Sequence, residues 1–488
     1  MSIKNQVQLI TYADSLGGSL KSLEMVLNGY FMDIFKGGIH ILPPFPSSGD
    51  RGFAPLTYFE IEPSFGTWDD IKKIGEKYDI AVDLMVNHIS QKSEYFQDFL
   101  KKGKKSQYAD YFLTLDKIWP DGNPVQSDID TIYLRRKVPY SEFKIIDTGE
   151  TIKVWTTFGK STPSEQIDLD VNAKETKDFL TKILKNFACN GVKIVRLDAI
   201  GFVVKKPGTS CFFVEPEIYA FMNWLKTTAD SLGIEILPEV HANYAIKYSM
   251  AERGFWIYDF ILPYMVLDTM FFKRNTELYR YLKNRPEYQF TTLDCHDGIP
   301  VMPDLEGLIN EDDAAAIVKK CLARGARITR VISEAYKGKN GFDVHQIVGT
   351  FYSIMGCDDD AYIASRAIQF FVPGIPQVYY AGMLAGENDI LAADRTGEDR
   401  EINRHNFTVE EIGTAMEKTV VKRLMKLIRF RNDVGVFNGE FAVIDCLVNQ
   451  IQLKWTRDED YCVLHIDLVD YKSVIYYREN GKEEELIL

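Results

Sequence analysis

Three acids stand where apolar runs end: Asp198 in VKIVRLDA (192–199), Glu239 in IEILPEVH (234–241) and Asp297 in FTTLDCHD (290–297). Carboxylates converging on one rim are what glycosyl transfer with retention requires. One attacks the anomeric carbon, a second protonates the leaving oxygen, and further negative charge faces the oxocarbenium-like transition state. A lone strand-end acid more often caps a following helix or pairs with a base; three together favour chemistry. Arg196 precedes Asp198 by two positions and so lies on the same strand face. There it can hold the carboxylate ionised, as a nucleophile needs; a buried structural ion pair would carry no such meaning. His88, closing AVDLMVNH (81–88), and His296, beside Asp297, are either donors to sugar hydroxyls or satisfied core histidines.

Eight short apolar runs can position these groups: VQLITY (7–12), GGIHIL (37–42), AVDLMVNH, VKIVRLDA, IEILPEVH, YDFILP (258–263), FTTLDCHD and IPQVYY (375–380). Amphipathic stretches such as KDFLTKILKNFA (177–188) separate them. That alternation predicts a (β/α)8 TIM barrel, with an open doubly wound sheet as the structural alternative. Asp198, Glu239 and Asp297 would then close strands four, five and seven. The third and fourth strands, and the seventh and eighth, are too far apart for one helix and two loops. The expected plan is a barrel of residues 1–86, 174–297 and 362–436, with subdomains inserted at 87–173 and 298–361. Both insertions leave the C-terminal ends of strands, the face where barrel active sites sit. Alternation in FAVIDCLV, IQLKW, YCVLHIDL and KSVIYY predicts a small antiparallel β domain at 437–488.

With 57 basic and 70 acidic residues the chain carries a net charge of −13, which disfavours nucleic acid or an anionic membrane as partner. Neither a signal peptide nor 18 consecutive apolar residues is present, and the 7 scattered cysteines form no CxxC pair. These features suit a cytoplasmic protein with reduced thiols. No nucleotide-binding glycine motif and no dense Asp/Asn ligand run occurs, so neither a cofactor nor a metal is expected. The sequence says nothing of oligomeric state.

DLMVNH (83–88), VRLDA (195–199), LPEVH (237–241) and LDCHD (293–297) resemble, in order and spacing, the four strand-end signatures of the α-amylase superfamily. The resemblance implies Asp198 as nucleophile, Glu239 as general acid/base and Asp297 as transition-state stabiliser. Arg196, His88 and His296 would lie in the glucose-binding subsite. QLITYADSLGG (8–18), HILPPFPSSGDRGFAP (40–55), EQIDLDVN (165–172), PGIPQVYYAGMLAGENDI (373–390) and REINRH (400–405) further resemble the sucrose phosphorylase group. This implies Asp50 and Arg404 clamping the glucosyl hydroxyls, with Phe53 and Gln166 lining the site. The implied reaction is reversible transfer of glucose from an α-glucoside to phosphate, giving α-glucose 1-phosphate through a β-glucosyl ester on Asp198.

YLRRKVPYS (133–141) and GFDVHQ (341–346) match the loops that border the acceptor in that group. The match implies Arg136 for inorganic phosphate, with Asp343 and Gln346 at the acceptor. Those enzymes typically lack a basic residue at position 135 and carry tyrosine at 345; this chain has Arg135 and His345. Both can grip a phosphoryl group with charge-assisted hydrogen bonds, whereas RRK as a solvated patch would not. The pattern resembles the subgroup acting on sucrose 6′-phosphate, with fructose 6-phosphate as second product. Sucrose, glucosylglycerol and glucosylglycerate are the alternative substrates. Pro300, where glycine is common, can reshape the adjoining loop. A hydrolase or transglucosidase of the superfamily would turn over without phosphate, and a non-enzymatic barrel would have lost one of the three acids.

Overall fold

The computed structural model describes residues 3–338 and 341–488; residues 339 and 340, within EAYKGKNGFD, lie outside it. Each of the eight apolar runs yields a short, almost wholly buried strand: β1 Gln8–Thr11, β2 Gly38–Ile41, β3 Ile80–Met85 and β4 Val192–Asp198. The others are β5 Glu235–Pro238, β6 Ile257–Asp259, β7 Gln289–Thr291 and β8 Ile375–Tyr379. Hydrogen-bonded neighbours run β6–β7–β8–β1–β2–β3–β4–β5. The pairing is parallel, with Gln8 opposite Gln377 and Asp83 opposite Arg196. A doubly wound sheet reverses its strand order at a switch point; this one follows the sequence throughout, as a (β/α)8 barrel does.

Helices alternate with the strands. Trp68–Gly75 starts at a capping box in which Thr67 and Asp70 each satisfy the other's backbone N–H. Lys174–Cys189 buries Phe179, Leu180, Ile183, Leu184 and Phe187, the three- and four-residue spacing of one helix face. Among the described residues no helix is long and apolar enough to cross a membrane.

The chain divides into two compact units. The first comprises Ile41–Val240 and Val331–Lys337, the second the rest of the described chain. In the first, the path from β3 to β4 makes an antiparallel pair, His88–Ser90 with Gln166–Asp168, and a hairpin, Tyr140–Lys144 with Thr151–Trp155. Its apolar core stacks Trp119 on Trp155 at 5.7 Å, beside Leu113, Leu115 and Ile132. The segment Val331–Lys337 packs into this unit. Leu134 N–H donates to Ser333 Oγ at 2.7 Å, and the Tyr133 and Tyr336 rings lie 4.1 Å apart.

In the second unit, Ile299–Pro300, Val344–Val348 and Arg327–Arg330 form a small antiparallel sheet between β7 and β8. The C-terminal domain is a five-stranded antiparallel meander: Glu440–Val443, Gln450–Arg457, Asp460–Asp467, Ser473–Glu479 and Lys482–Ile487. Its last strand, KEEELI, reads as a polar tail. It forms because the neighbouring strand supplies the hydrogen bonds, and its charges suit an exposed sheet edge.

Candidate active site

Arg196 organises the C-terminal end of β4. Its Nη1 lies 2.5 Å from Asp83 Oδ1 and 3.0 Å from Asp198 Oδ1, and its Nη2 is 2.9 Å from Glu239 Oε1. One guanidinium, 3% exposed, thus serves three carboxylates, of which Asp83 is fully buried. Its face covers the Phe53 ring at 5.7 Å. Charges this far from water persist only when paired and hydrogen-bonded. Ala199 turns the chain in a left-handed conformation (φ 55°) and aims its N–H at Glu239 Oε2, 3.3 Å away. Asp198 and Glu239 are therefore both held by donors from one strand end.

The turn after β2 has three successive positive φ angles, 49° at Asp50, 47° at Arg51 and 106° at Gly52. A Cβ at Gly52 would fall 2.4 Å from the Pro43 carbonyl oxygen, so only glycine fits. The turn delivers Phe53, whose carbonyl accepts from His88 Nε2 at 2.9 Å and Gln166 Nε2 at 3.3 Å. Burial pushes the His88 pKa down despite Asp168 nearby. A neutral His88 with its proton on Nε2 fits these bonds. The imidazole is thus a buried wall anchored to the backbone.

Behind it, Lys205 Nζ sits among oxygens: Asp168 Oδ2 and Asn87 Oδ1, both at 2.6 Å, and the Phe202 carbonyl. Asp168 also accepts from Thr157 N–H at 2.9 Å and Thr157 Oγ1 at 2.5 Å. Lys205→Met leaves that buried carboxylate without its cation and is expected to cost about 3–5 kcal/mol. The check is the melting temperature, which should partly recover in Lys205→Met/Asp168→Asn. An unchanged value in the single variant would mean that the bonds Asp168 accepts from Thr157 and from Asn87 Nδ2, the latter at 3.1 Å, suffice.

Arg135 and Arg136 are half-buried at a small recess lined with Tyr133, Trp155, Thr157 and Phe202. The Arg135 guanidinium lies 5.9 Å from the centroid of the Tyr133 ring and 6.0 Å from that of Phe158. Arg136 donates to the carbonyls of Phe158 at 3.2 Å and Ser161 at 2.9 Å. RRK is thus no free charge run; its first two residues are built into the fold. Glu165 secures the same loop, accepting from Lys160 N–H at 2.9 Å, Ser161 N–H at 3.0 Å and Ser161 Oγ at 2.6 Å.

Burial works against Glu165 ionising, but the Ser161 hydroxyl and these N–H groups outweigh it and bring its pKa from 4.5 to about 2. A carboxyl depressed on folding stabilises above its unfolded value and loses that contribution as pH falls through the folded one. Glu165→Gln is expected to be less stable than wild type at pH 7 by about 1–2 kcal/mol, after allowance for its exposure. The gap should close between pH 4.5 and pH 2. Denaturant unfolding across that range checks it; a gap that widens in acid would contradict the assignment.

In the second unit, Asp297 Oδ1 is 2.8 Å from Arg400 Nη1 and 3.8 Å from Arg404 Nη2. Arg404 Nε donates to the His296 carbonyl at 3.0 Å, and Asn403 Nδ2 donates to the carbonyls of Cys295 and Asp297, each at 3.1 Å. Tyr12 meets the His296 ring edge-on at 6.2 Å. REINRH therefore braces the loop after β7 through three side chains. Gln346 Oε1 accepts from Arg400 Nη2 at 3.5 Å, Asp343 is ion-paired with Arg330, and buried His345 donates from Nδ1 to the Met302 carbonyl at 2.7 Å.

Three positions differ from the sequence expectation. β3 stops at Met85, before His88, which begins the next short strand; β5 stops at Pro238, one residue before Glu239; β7 stops at Thr291, well before Asp297. The residues after β7 are captured instead by side chains. Thr292 Oγ1 bonds the Asp294 carbonyl at 2.5 Å, and Asp294 pairs with buried Arg366 at 2.6 Å. Sequence reasoning overlooked Asp83, Arg400 and Asn403. Asp83 had a signal, an acid in a buried strand with an arginine on the neighbouring one; the other two had none beyond their motif.

Residues 15–279 match the Alpha-amylase family described as "Alpha amylase, catalytic domain". The chain is 61% identical over 489 residues to the sucrose 6(F)-phosphate phosphorylase of Thermoanaerobacterium thermosaccharolyticum, covering 100% of both. It is 44% identical over 439 residues to the sucrose phosphorylase of Streptococcus mutans, covering 90% of this chain and 89% of that protein. A crystal structure of sucrose 6F-phosphate phosphorylase from Thermoanaerobacter thermosaccharolyticum matches with a TM-score of 0.98 at 61% identity, over 100% of this chain and 99% of the other. The chain belongs to the α-amylase family and, within it, to the sucrose phosphorylase group.

Proposed function

We propose that this protein is a retaining phosphorylase that reversibly converts sucrose 6′-phosphate and inorganic phosphate to α-glucose 1-phosphate and fructose 6-phosphate. The observation that carries the chemistry is the single guanidinium of Arg196 shared by Asp198 and Glu239. Asp198 Oδ attacks the anomeric carbon as its bond to the fructosyl oxygen breaks, and Glu239 gives its proton to that oxygen. The β-glucosyl ester is then attacked by a phosphate oxygen from the opposite face. Glu239 recovers a proton from the phosphate, and Asp198 leaves as carboxylate. Two inversions give net retention. Asp297, tied to Arg400 and close to Arg404, supplies negative charge that stabilises the oxocarbenium-like transition state.

Asp50 and Arg404 serve the glucosyl hydroxyls, and Phe53, His88, Gln166, Arg196 and His296 line their subsite. Arg135, Arg136, Asp343, His345 and Gln346 serve phosphate and the phosphorylated acceptor. What favours the phosphorylated sugar is that Arg135 is held at a recess beside the Tyr133 and Phe158 rings rather than splayed into solvent, so little conformational freedom is lost on binding. The two carboxylates complete the proton and bond changes without a cofactor. Free cysteines at all seven positions suit work in the cytoplasm.

The test compares initial rates of α-glucose 1-phosphate formation from sucrose 6′-phosphate and from sucrose, each with and without phosphate. The expected result is phosphate-dependent turnover with a strong preference for the phosphorylated sugar. Arg135→Ala/His345→Ala should reduce that preference by roughly 100-fold, the loss of two charge-assisted contacts. Preference for plain sucrose would reassign the acceptor, and turnover without phosphate would make the enzyme a hydrolase or transglucosidase.

A further inference from the structure

A group of buried charges next to His345 has no part in the mechanism above. Helix Tyr244–Glu252 follows β5 and carries Lys247, whose Nζ lies 2.6 Å from Asp304 Oδ1. Lys247 is 3% exposed and Asp304 fully buried. The other carboxylate oxygen, Oδ2, is 3.6 Å from Nδ1 of His241, two residues beyond Glu239 in the chain. His241 stacks on the Phe260 ring at 4.4 Å and 14°, and meets the His345 ring edge to face at 6.2 Å. His345 is itself held by the Met302 carbonyl. One short stretch, Met302 to Asp304, therefore holds both imidazoles, one through a neutral carbonyl and the other through a carboxylate.

Stability alone does not call for such a pair, because a buried Lys–Asp pair can usually be replaced by apolar residues of equal volume without loss. Its electrostatic effect on the neighbour is specific. Burial would raise the Asp304 pKa, but the Lys247 ammonium and His241 outweigh it and hold the carboxyl below the ordinary range. An ionised carboxylate 3.6 Å from Nδ1 attracts the proton-bearing face of the imidazole and so biases the orientation of a ring already stacked on Phe260. The Met302 carbonyl orients His345 without adding charge.

We infer that Asp304 and Lys247 are positioning residues for acceptor recognition, fixing His241 beside His345 as a second imidazole for the phosphoryl group of a monosaccharide phosphate. This rests on the proposed assignment of His345 to the acceptor. Neither Asp304 nor Lys247 need touch the ligand; their effect passes through His241.

The experiment measures kcat and KM for sucrose 6′-phosphate and for sucrose, with melting temperatures, in wild type, Asp304→Asn and Asp304→Leu/Lys247→Met. Asp304→Asn is expected to raise KM for the phosphorylated sugar at least tenfold, with kcat and the KM for sucrose within twofold. The double variant removes both charges while retaining volume, so it should melt near wild type and keep the selective KM defect. A double variant that binds the phosphorylated sugar as wild type does, or that loses both sugars equally, overturns the inference. A wild-type enzyme with no preference for the phosphorylated sugar overturns the acceptor assignment, and the inference with it. A preference that survives in the double variant overturns the inference alone.

Discussion

Asp198→Asn is expected to lower kcat by about five orders of magnitude, the scale of losing a nucleophile for which no neighbouring group can substitute. The amide lacks the charge to displace the fructosyl oxygen, and no ester forms. The fold should survive, because the substitution removes one of three anions around Arg196 and leaves Asp83 and Glu239 as partners. Circular dichroism and melting temperature should therefore match wild type. A stronger form of the test uses Asp198→Gly with azide. The small anion can enter the vacated space and attack the anomeric carbon directly, so the product is the β-glucosyl azide after one inversion. Detecting that anomer identifies Asp198 as the group replaced. Turnover above about 1% of wild type in Asp198→Asn would remove it from the role.

Replacing Arg196 should do damage of two kinds at once. Arg196→Met leaves the fully buried Asp83 without its cation and releases Asp198 and Glu239 from their shared donor. Stability is expected to fall by about 3–5 kcal/mol, the cost of breaking a buried pair from one side. The activity of the folded fraction should fall at least about 1,000-fold, because the preorganised electrostatics of the two carboxylates are lost. The two effects separate in Asp83→Asn/Arg196→Met, which should regain stability and remain inactive. Arg196→Lys should rescue poorly. Two nitrogens of one planar fork reach three carboxylates here, and a single ammonium cannot reproduce that geometry. If Arg196→Lys restored near-normal kcat, the role of the guanidinium would reduce to charge alone.

The barrel was legible because its strands are buried on both faces and read as continuous apolar runs. Where those strands stop was not legible. β7 keeps only three residues in the sheet, and the path onward to Asp297 is set by the bond of Thr292 to the Asp294 carbonyl and by the pairing of Asp294 with Arg366, 72 positions away. Asp198 is legible at a strand end because, past a register shift at Ile80, the strand pairs regularly with β3 from Ile194 to its last residue. Asp83 stands out along the chain as an acid in a buried strand, but only the register shows that the arginine it faces is Arg196. The role of His88 could not be read from residue type. Its donor goes to the Phe53 carbonyl, and backbone geometry leaves no trace in a side-chain pattern. The charged fifth strand of the C-terminal domain was invisible for a similar reason, since its partner strand, not its composition, makes it a strand.

The left-handed turn at Asp50, Arg51 and Gly52 also bears on how such an enzyme can change over evolutionary time. Two non-glycine residues there are held in a conformation costing roughly 1–2 kcal/mol each, and the third has no room for a side chain. Few sequences satisfy those demands, so this turn, which the proposed function assigns to glucose recognition, is locked against drift. The described stretches Tyr133–Ser141 and Val344–Val348, which carry Arg135 and His345, contain no residue at positive φ. Diversification of substrate range within this architecture is thereby channelled to the acceptor side, and attempts at retargeting should begin there.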